Sequence, residues 1–172
     1  MVLLEKLKDE IEIVPTSKEQ VEPFILKHYL ETWPVGIKQI YGIRRKSDKS
    51  MIGMAIYGNP MQSATKIAEP EVEPSQSLEL KRLYIEPTPN LPHIESYVIS
   101  QTLKDIKQRF PDVKIVITFA DPSVGHLGGI YQATNALYLG KSRTGKHKYA
   151  YILRGNLKAL HQLLQSKPYP KN

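Results

Sequence analysis

Val113-Lys-Ile-Val-Ile-Thr-Phe-Ala-Asp-Pro-Ser-Val-Gly-His-Leu-Gly-Gly-Ile-Tyr-Gln-Ala-Thr-Asn135 is the stretch that decides the fold. Its first part, to Phe119, is an apolar alternating run and reads as a strand. Ile130 to Tyr138 reads as a short helix. Between them lies a turn carrying three glycines, at 125, 128 and 129, which permit backbone conformations and close approaches that a side chain forbids. The same turn carries a carboxylate, Asp121, and an imidazole, His126, with the phenol of Tyr131 at the helix start. Open α/β sheets hold their ligands in such loops, at the carboxyl ends of strands. A plain strand-to-helix turn, with Asp121 and Ser123 as caps, is the competing reading.

Working outward, Leu78 to Ile85 alternates as a strand, and the turn-rich Glu86-Pro-Thr-Pro-Asn-Leu-Pro-His93 follows it. Val98, Ile99, Leu103, Ile106 and Phe110 have helical spacing over Ile94 to Phe110, and Pro111 stops that helix. Upstream, Ile37–Ile43 and Met51–Tyr57 read as two strands joined by the polar loop Arg44–Ser50. Ile11–Pro15 reads as a first strand. Thr16 or Ser17 then opens a helix whose apolar stripe is Val21, Phe24, Ile25, Tyr29 and Leu30, broken by Trp33-Pro-Val-Gly36. Ser63 to Ser77 lacks periodicity and reads as a loop. Lys148–Arg154 is a last strand and Asn156–Gln165 a terminal amphipathic helix. The order predicts an α/β protein: one domain over residues 1–172, a mixed sheet with flanking helices.

The 172 residues suffice for one domain with a real core. No apolar run reaches the roughly 20 residues of a membrane span, and the N-terminal ten residues do not resemble a signal peptide. No membrane partner is expected. The absence of cysteine excludes disulfides, thiolate zinc sites and a cysteine nucleophile, and fits a reducing compartment. The net charge is +7, which favours polyanions. Much of the basic charge falls in Lys141-Ser-Arg-Thr-Gly-Lys-His-Lys148, so Lys141, Arg143, Lys146 and Lys148 are candidates for non-specific contact with DNA phosphates.

Several stretches together resemble the Mom family of phage DNA-modification proteins, on a Gcn5-related N-acetyltransferase (GNAT) fold. They are Phe24-Ile-Leu-Lys-His-Tyr-Leu30, Trp33-Pro-Val-Gly36, Tyr41-Gly-Ile43, Ile52 to Pro60, Leu78-Glu-Leu-Lys-Arg-Leu83, Pro89 to Ser96 and Phe119 to Asn135. The last of these is long and specific; the others are individually weak. The resemblance implies conversion of the exocyclic N6 amine of adenine in DNA to a carbamoylmethyl or acyl-type adduct, protecting the DNA against restriction. It implies a small acyl or carbon donor, an acetyl-CoA-type cofactor and iron, and the cytoplasm of the host cell as the location. It makes Asp121, Tyr131, His126, His28 and Tyr29 catalytic candidates, with His28 and Asp121 as candidate iron ligands. Arg82, Asn90 and Ser96 become cofactor-binding candidates. Where acetyltransferases carry a glycine-rich pyrophosphate loop before the long helix, this chain has Thr88-Pro-Asn-Leu-Pro-His-Ile-Glu-Ser96, with no glycine and two prolines that lack amides.

Chemistry on the adenine amine requires the base to leave the stack, and Trp33, Tyr29 and Tyr138 are candidates for an aromatic wall. Two other functions compete. One is a conventional acetyl-CoA-dependent N-acyltransferase acting on a small amine, a protein or tRNA; the other is a DNA-binding protein without chemistry. A homodimer is compatible with each.

Overall fold

The structure is a computed structural model that describes residues 3–61 and 72–171. Most of the predicted 63–77 loop therefore lies outside the described residues. Its end is ordered as a 3-10 turn, Pro74–Gln76, leading into a strand. The elements run α1 (Leu3–Glu10), β1 (Ile11–Pro15), α2 (Lys18–Val21), a 3-10 segment (Glu22–Lys27), β2 (Ile37–Arg45), β3 (Met51–Gly58), β4 (Ser77–Ile85) and α3 (Ile94–Arg109). Then follow β5 (Ile115–Ala120), a 3-10 turn (Pro122–Val124), α4 (Gly129–Ala133), β6 (Leu137–Lys141), β7 (His147–Ile152) and α5 (Leu157–Leu163). The strands form a seven-stranded mixed sheet in the order β1-β2-β3-β4-β5-β7-β6. The expected α/β class with a mixed sheet and flanking helices is what the chain adopts. It divides into two compact units, Met1–Gly58 with Leu80–Asp105 and Asn59–Glu79 with Ile106–Asn172.

In the first unit β2 pairs antiparallel with β1 and β3, with Ile40 opposite Ile56 and Tyr41 opposite Ala55. Val21, Phe24, Ile25, Ile40, Met54 and Ile56 form its core, with Trp33 and Tyr84 packed on the side. The buried ring of Tyr57 meets Tyr41 edge-on at 5.9 Å, and its hydroxyl bonds Thr102 Oγ1 on α3 at 2.6 Å. Gly53 is required by close approach, since a Cβ there would lie 2.4 Å from the Tyr84 carbonyl oxygen.

Two sequence expectations change in this unit. The N-terminal helix α1 is an addition to the expected elements. It forms with Glu5 in its first turn and Lys8 in its last, matching the helix dipole, and buries Leu7. The helix expected from Thr16 to Leu30 is only four α-helical residues and then a 3-10 segment. Pro23 sits at the start of that segment, where its ring and missing N–H prevent α-helical bonding from continuing.

In the second unit Ser77–Glu79 of β4 runs parallel to Ile115–Ile117, while β5 runs antiparallel to β7 and β7 to β6. Ile115, Val116, Ile117 and Thr118 are all buried, as befits a strand covered on both faces. The core here is Val72, Ile115, Ile117, Leu139, Ala150, Leu160 and Leu164. The helix expected through Tyr138 stops at Ala133, and Leu137–Lys141 is a strand instead. Asn135 takes a left-handed conformation (φ 63°) and the Ala136 amide bonds the Tyr131 carbonyl at 3.0 Å, which ends the helix. Asn156 caps α5 as expected, its side chain accepting from the Ala159 amide at 3.2 Å.

Candidate active site

The second unit places the loop 121–128 directly after the buried β5. Asp121 organises it. The Oδ1 atom accepts from the Ser123 amide at 3.0 Å and the Ser123 hydroxyl at 2.6 Å. Its carbonyl accepts from the His126 amide at 3.0 Å, so the turn closes on itself. Gly125 supplies the left-handed residue (φ 81°) that closure needs. The other carboxylate oxygen, Oδ2, lies 4.0 Å from Lys146 Nζ. The Ser123 hydrogen bonds, with smaller attractions from Lys146 and His126, hold the Asp121 carboxyl below the usual range. Asp121 is thus both the cap of the bland reading and an ionised group at the strand's end.

Below the loop lies a cluster of phenols in which Tyr131 and Tyr138, both candidates from the sequence, meet Tyr149 and Tyr169, which the sequence did not single out. Tyr149 on β7 is fully buried, and its hydroxyl donates to the Leu127 carbonyl at 2.5 Å and accepts from Gln132 Nε2 at 3.0 Å. Its ring fills the space beside Gly128, where a Cβ would approach ring carbons within 2.3 Å. Tyr131 packs on it with ring centroids 5.4 Å apart, Tyr138 at 5.2 Å and Tyr169 at 6.4 Å. Tyr138 also bonds Nδ1 of the buried His147 at 2.7 Å. Burial raises the Tyr149 and Tyr138 phenols and, with Lys141 adding to it, lowers His147. Strand alternation around Lys148-Tyr-Ala-Tyr is the one sequence signal that could place Tyr149 inward.

The predicted basic residues share one hairpin. Lys141 ends β6 opposite His147, and Lys148 lies opposite Phe119 of β5. Ser142 closes the turn: its amide bonds the Lys146 carbonyl at 2.7 Å and its hydroxyl takes the Lys146 amide at 3.0 Å. Lys141 and Arg143 are exposed, whereas Lys146 leans toward Asp121. The second unit therefore gathers Asp121, His126, Tyr131 and the four basic residues on the β5 end, its loop and the β6–β7 hairpin.

The other candidates belong to the first unit. His28 is buried at the end of the 3-10 segment, and its Nδ1 accepts the Leu30 amide at 3.1 Å. Tyr29 tilts against it at 4.6 Å and is 38% exposed. Of the proposed aromatic wall, Trp33 is partly buried under Lys18, whose Nζ sits 5.0 Å from the ring, and Tyr138 is buried. Tyr29 is the exposed one. The Arg82 guanidinium bonds Thr32 and the adjoining backbone: Nε donates to the Thr32 carbonyl at 3.0 Å, Nη1 to the Lys81 carbonyl at 2.7 Å and Nη2 to Thr32 Oγ1 at 3.2 Å. Asn90 lies in an exposed turn whose carbonyl accepts from Lys6 Nζ at 2.8 Å. Ser96 is half-buried in the first turn of α3. His93, just before α3, takes a left-handed backbone (φ 63°), the conformation that a glycine would otherwise supply.

The expected iron finds no support. Among the described residues no group of three or more His, Asp or Glu side chains is placed to hold a metal ion. His28 Nδ1 and Asp121 Oδ1 are already hydrogen-bond acceptors for local backbone. Among those residues no helix is long and apolar enough to cross a membrane.

The profile of the Mom protein family matches residues 10–146, which spans every strand from β1 to β6 and the whole 119–135 stretch. The chain belongs to the Mom protein family. A search of curated proteins finds no match. Solved structures give the fold. A GNAT family acetyltransferase from Elizabethkingia anophelis with acetyl-CoA bound is similar over 84% of this chain and 99% of its own, at 14% identity and a TM-score of 0.59. An acetyltransferase structure from Acinetobacter baylyi ADP1 covers 86% and 95%, at 13% identity and a TM-score of 0.60. An N-acetyltransferase from Staphylococcus aureus Mu50 covers 84% and 99%, at 14% identity and a TM-score of 0.58. This Mom family chain therefore has a GNAT acetyltransferase-like fold.

Proposed function

We propose that this Mom family chain is a phage-type DNA-modifying transferase. It places a carbamoylmethyl or acyl-type group on the N6 amine of adenine, which shields the DNA from restriction. The family match over residues 10–146 carries this reading. The basic hairpin beside the Asp121 loop supports it, because phosphate contacts from Lys141, Arg143 and Lys148 would hold the duplex without regard to sequence. The modification replaces one N6–H bond with an N–C bond, so a proton must leave. Asp121, held ionised by Ser123, is a weak proton acceptor and suits the task of accepting an N6–H hydrogen bond. His126 lies on the same loop, its amide bonded to the Asp121 carbonyl, and its imidazole is a candidate to receive that proton. Tyr131 lies at the start of α4, where its phenol can hydrogen-bond the substrate.

For an acyl-type group the donor is taken to be of the acetyl-CoA class, since a similar structure holds acetyl-CoA. The N6–C bond would form as the acyl C–S bond breaks, and CoA would leave as the thiol with the proton from N6. A carbamoylmethyl adduct would instead need a donor that already carries the amide and a leaving group on its methylene carbon. Here the amides at the start of α3 would receive the pyrophosphate, with Asn90 and Ser96 beside them and His93 supplying the left-handed turn. Pro89 and Pro92 remove two amides from this loop. Arg82 acts by pinning Thr32. The place of action is the cytoplasm of the host cell.

The test is nucleoside mass spectrometry of DNA from cells expressing the chain, beside an Asp121→Asn control. A heavier deoxyadenosine in the wild-type sample alone supports the reading, and its mass identifies the added group. Unmodified DNA together with acetyl transfer to a small amine or tRNA in vitro would replace it with the conventional N-acyltransferase, the reading that the acetyltransferase-like fold favours.

A further inference from the structure

A polar cleft lies wholly within the first unit, apart from every residue assigned above. It encloses about 190 Å³ and is lined by Ile13 and Pro15 of β1, Tyr41 of β2, and Tyr97, Gln101 and Asp105 of α3. Tyr97, Gln101 and Asp105 stand four residues apart, so α3 presents them as one row along a single face. This polar row faces the β1–β2 side of the sheet, where a helix ordinarily presents its apolar stripe. At its end the buried phenol of Tyr41 donates to Asp105 Oδ2. That bond fixes a carboxylate in the cleft wall. The cleft thus combines a negative end, an amide, a second phenol and an apolar flank. Its volume of about 190 Å³ suits a short molecule.

We propose that this cleft is a binding site for a small organic cation. The ammonium head lies on Asp105 and Gln101, beside the part-exposed Tyr97 ring, and a short carbon chain lies along Ile13 and Pro15. Carboxylate and aromatic faces are the two protein groups that attract an ammonium ion most directly, and Pro15 and Ile13 give the chain an apolar bed. The site is independent of the DNA reading and takes a ligand of opposite charge.

The probe is n-butylammonium, with n-butanol as its uncharged counterpart, titrated into the full chain and followed by backbone amide NMR. Saturable shifts confined to residues around Ile13, Tyr41, Tyr97, Gln101 and Asp105 are expected, with n-butanol binding at least tenfold more weakly. Asp105→Asn keeps an acceptor for the Tyr41 hydroxyl, and with it the charge preference should vanish. Gln101→Leu serves as a second variant, and it should weaken butylammonium severalfold in a chain whose spectrum is otherwise unchanged. Equal binding of the alcohol, shifts scattered over the acidic surface, no saturation, or an undiminished preference in Asp105→Asn would each overturn the proposal.

Discussion

Replacing Gly128 by alanine should damage the candidate loop far more than the same change three residues earlier. At Gly128 two costs coincide. The backbone is left-handed, with φ 88° and ψ 29°, a conformation that costs a residue with a Cβ about 1–2 kcal/mol. The new methyl group would also fall 2.3–2.6 Å from the ring and hydroxyl of Tyr149. That ring is fully buried and fixed by bonds to Leu127 and Gln132, so it cannot swing aside. Overpacking of this kind costs about 1–3 kcal/mol. The sum is about 3 kcal/mol, which for a chain of this length lowers the melting temperature by about 6–12 °C. Gly125 is also left-handed (φ 81°), but nothing lies within 4 Å of its added Cβ. Gly125→Ala should therefore show the conformational cost alone, about 1–2 kcal/mol. Urea and thermal unfolding of both variants, followed by circular dichroism, measure the difference. Equal losses in the two would refute the argument that Tyr149 buttresses the loop, and would reduce both glycines to turn residues.

Other consequences can be checked singly. Glu12 is held at about 2 by hydrogen bonds from Arg44 and Lys49. Its depressed value means that the stabilisation is present above about 4.5 and is lost as pH falls toward 2. NMR titration should find that midpoint, and Arg44→Leu should move it upward. The His147 value is lowered by burial first and Lys141 second, so the folded state holds the ring neutral. Stability should fall as pH drops below the ordinary histidine value of 6.5, and His147→Gln should flatten that part of the profile. Changing Lys141, Arg143 and Lys148 to Gln together should weaken DNA binding at low salt. It should also reduce the slope of log affinity against log salt by about 0.9 for each phosphate that is no longer neutralised; an unchanged slope would move the DNA interface elsewhere.

The sequence by itself determined most of the strands, the long helix and the position of the candidate loop. Those rest on local periodicity: apolar runs such as Ile115–Phe119 and the 98–110 helical stripe carry their own signal. It also determined the family, because the 119–135 stretch is specific in residue order. It missed α1, whose eight residues, Leu3–Glu10, are too short a run to set a helical period. It extended two helices too far, past Pro23 and past Asn135, where one missing amide and one left-handed residue ended them. Only tertiary structure decided what the polar side chains do. Asp121 caps its turn and also lies near Lys146, Arg82 binds Thr32, and Tyr149 reaches the loop at Leu127 from a strand position 22 residues later. The Asp121 cap is local and was open to the sequence, but the Lys146, Thr32 and Leu127 contacts join residues far apart in the chain, and no local pattern encodes such a distance. The row Tyr97, Gln101, Asp105 shows the same division. Its spacing is plain in the sequence, but the Tyr41 hydroxyl that turns it into the wall of a cleft comes from a strand more than fifty residues earlier.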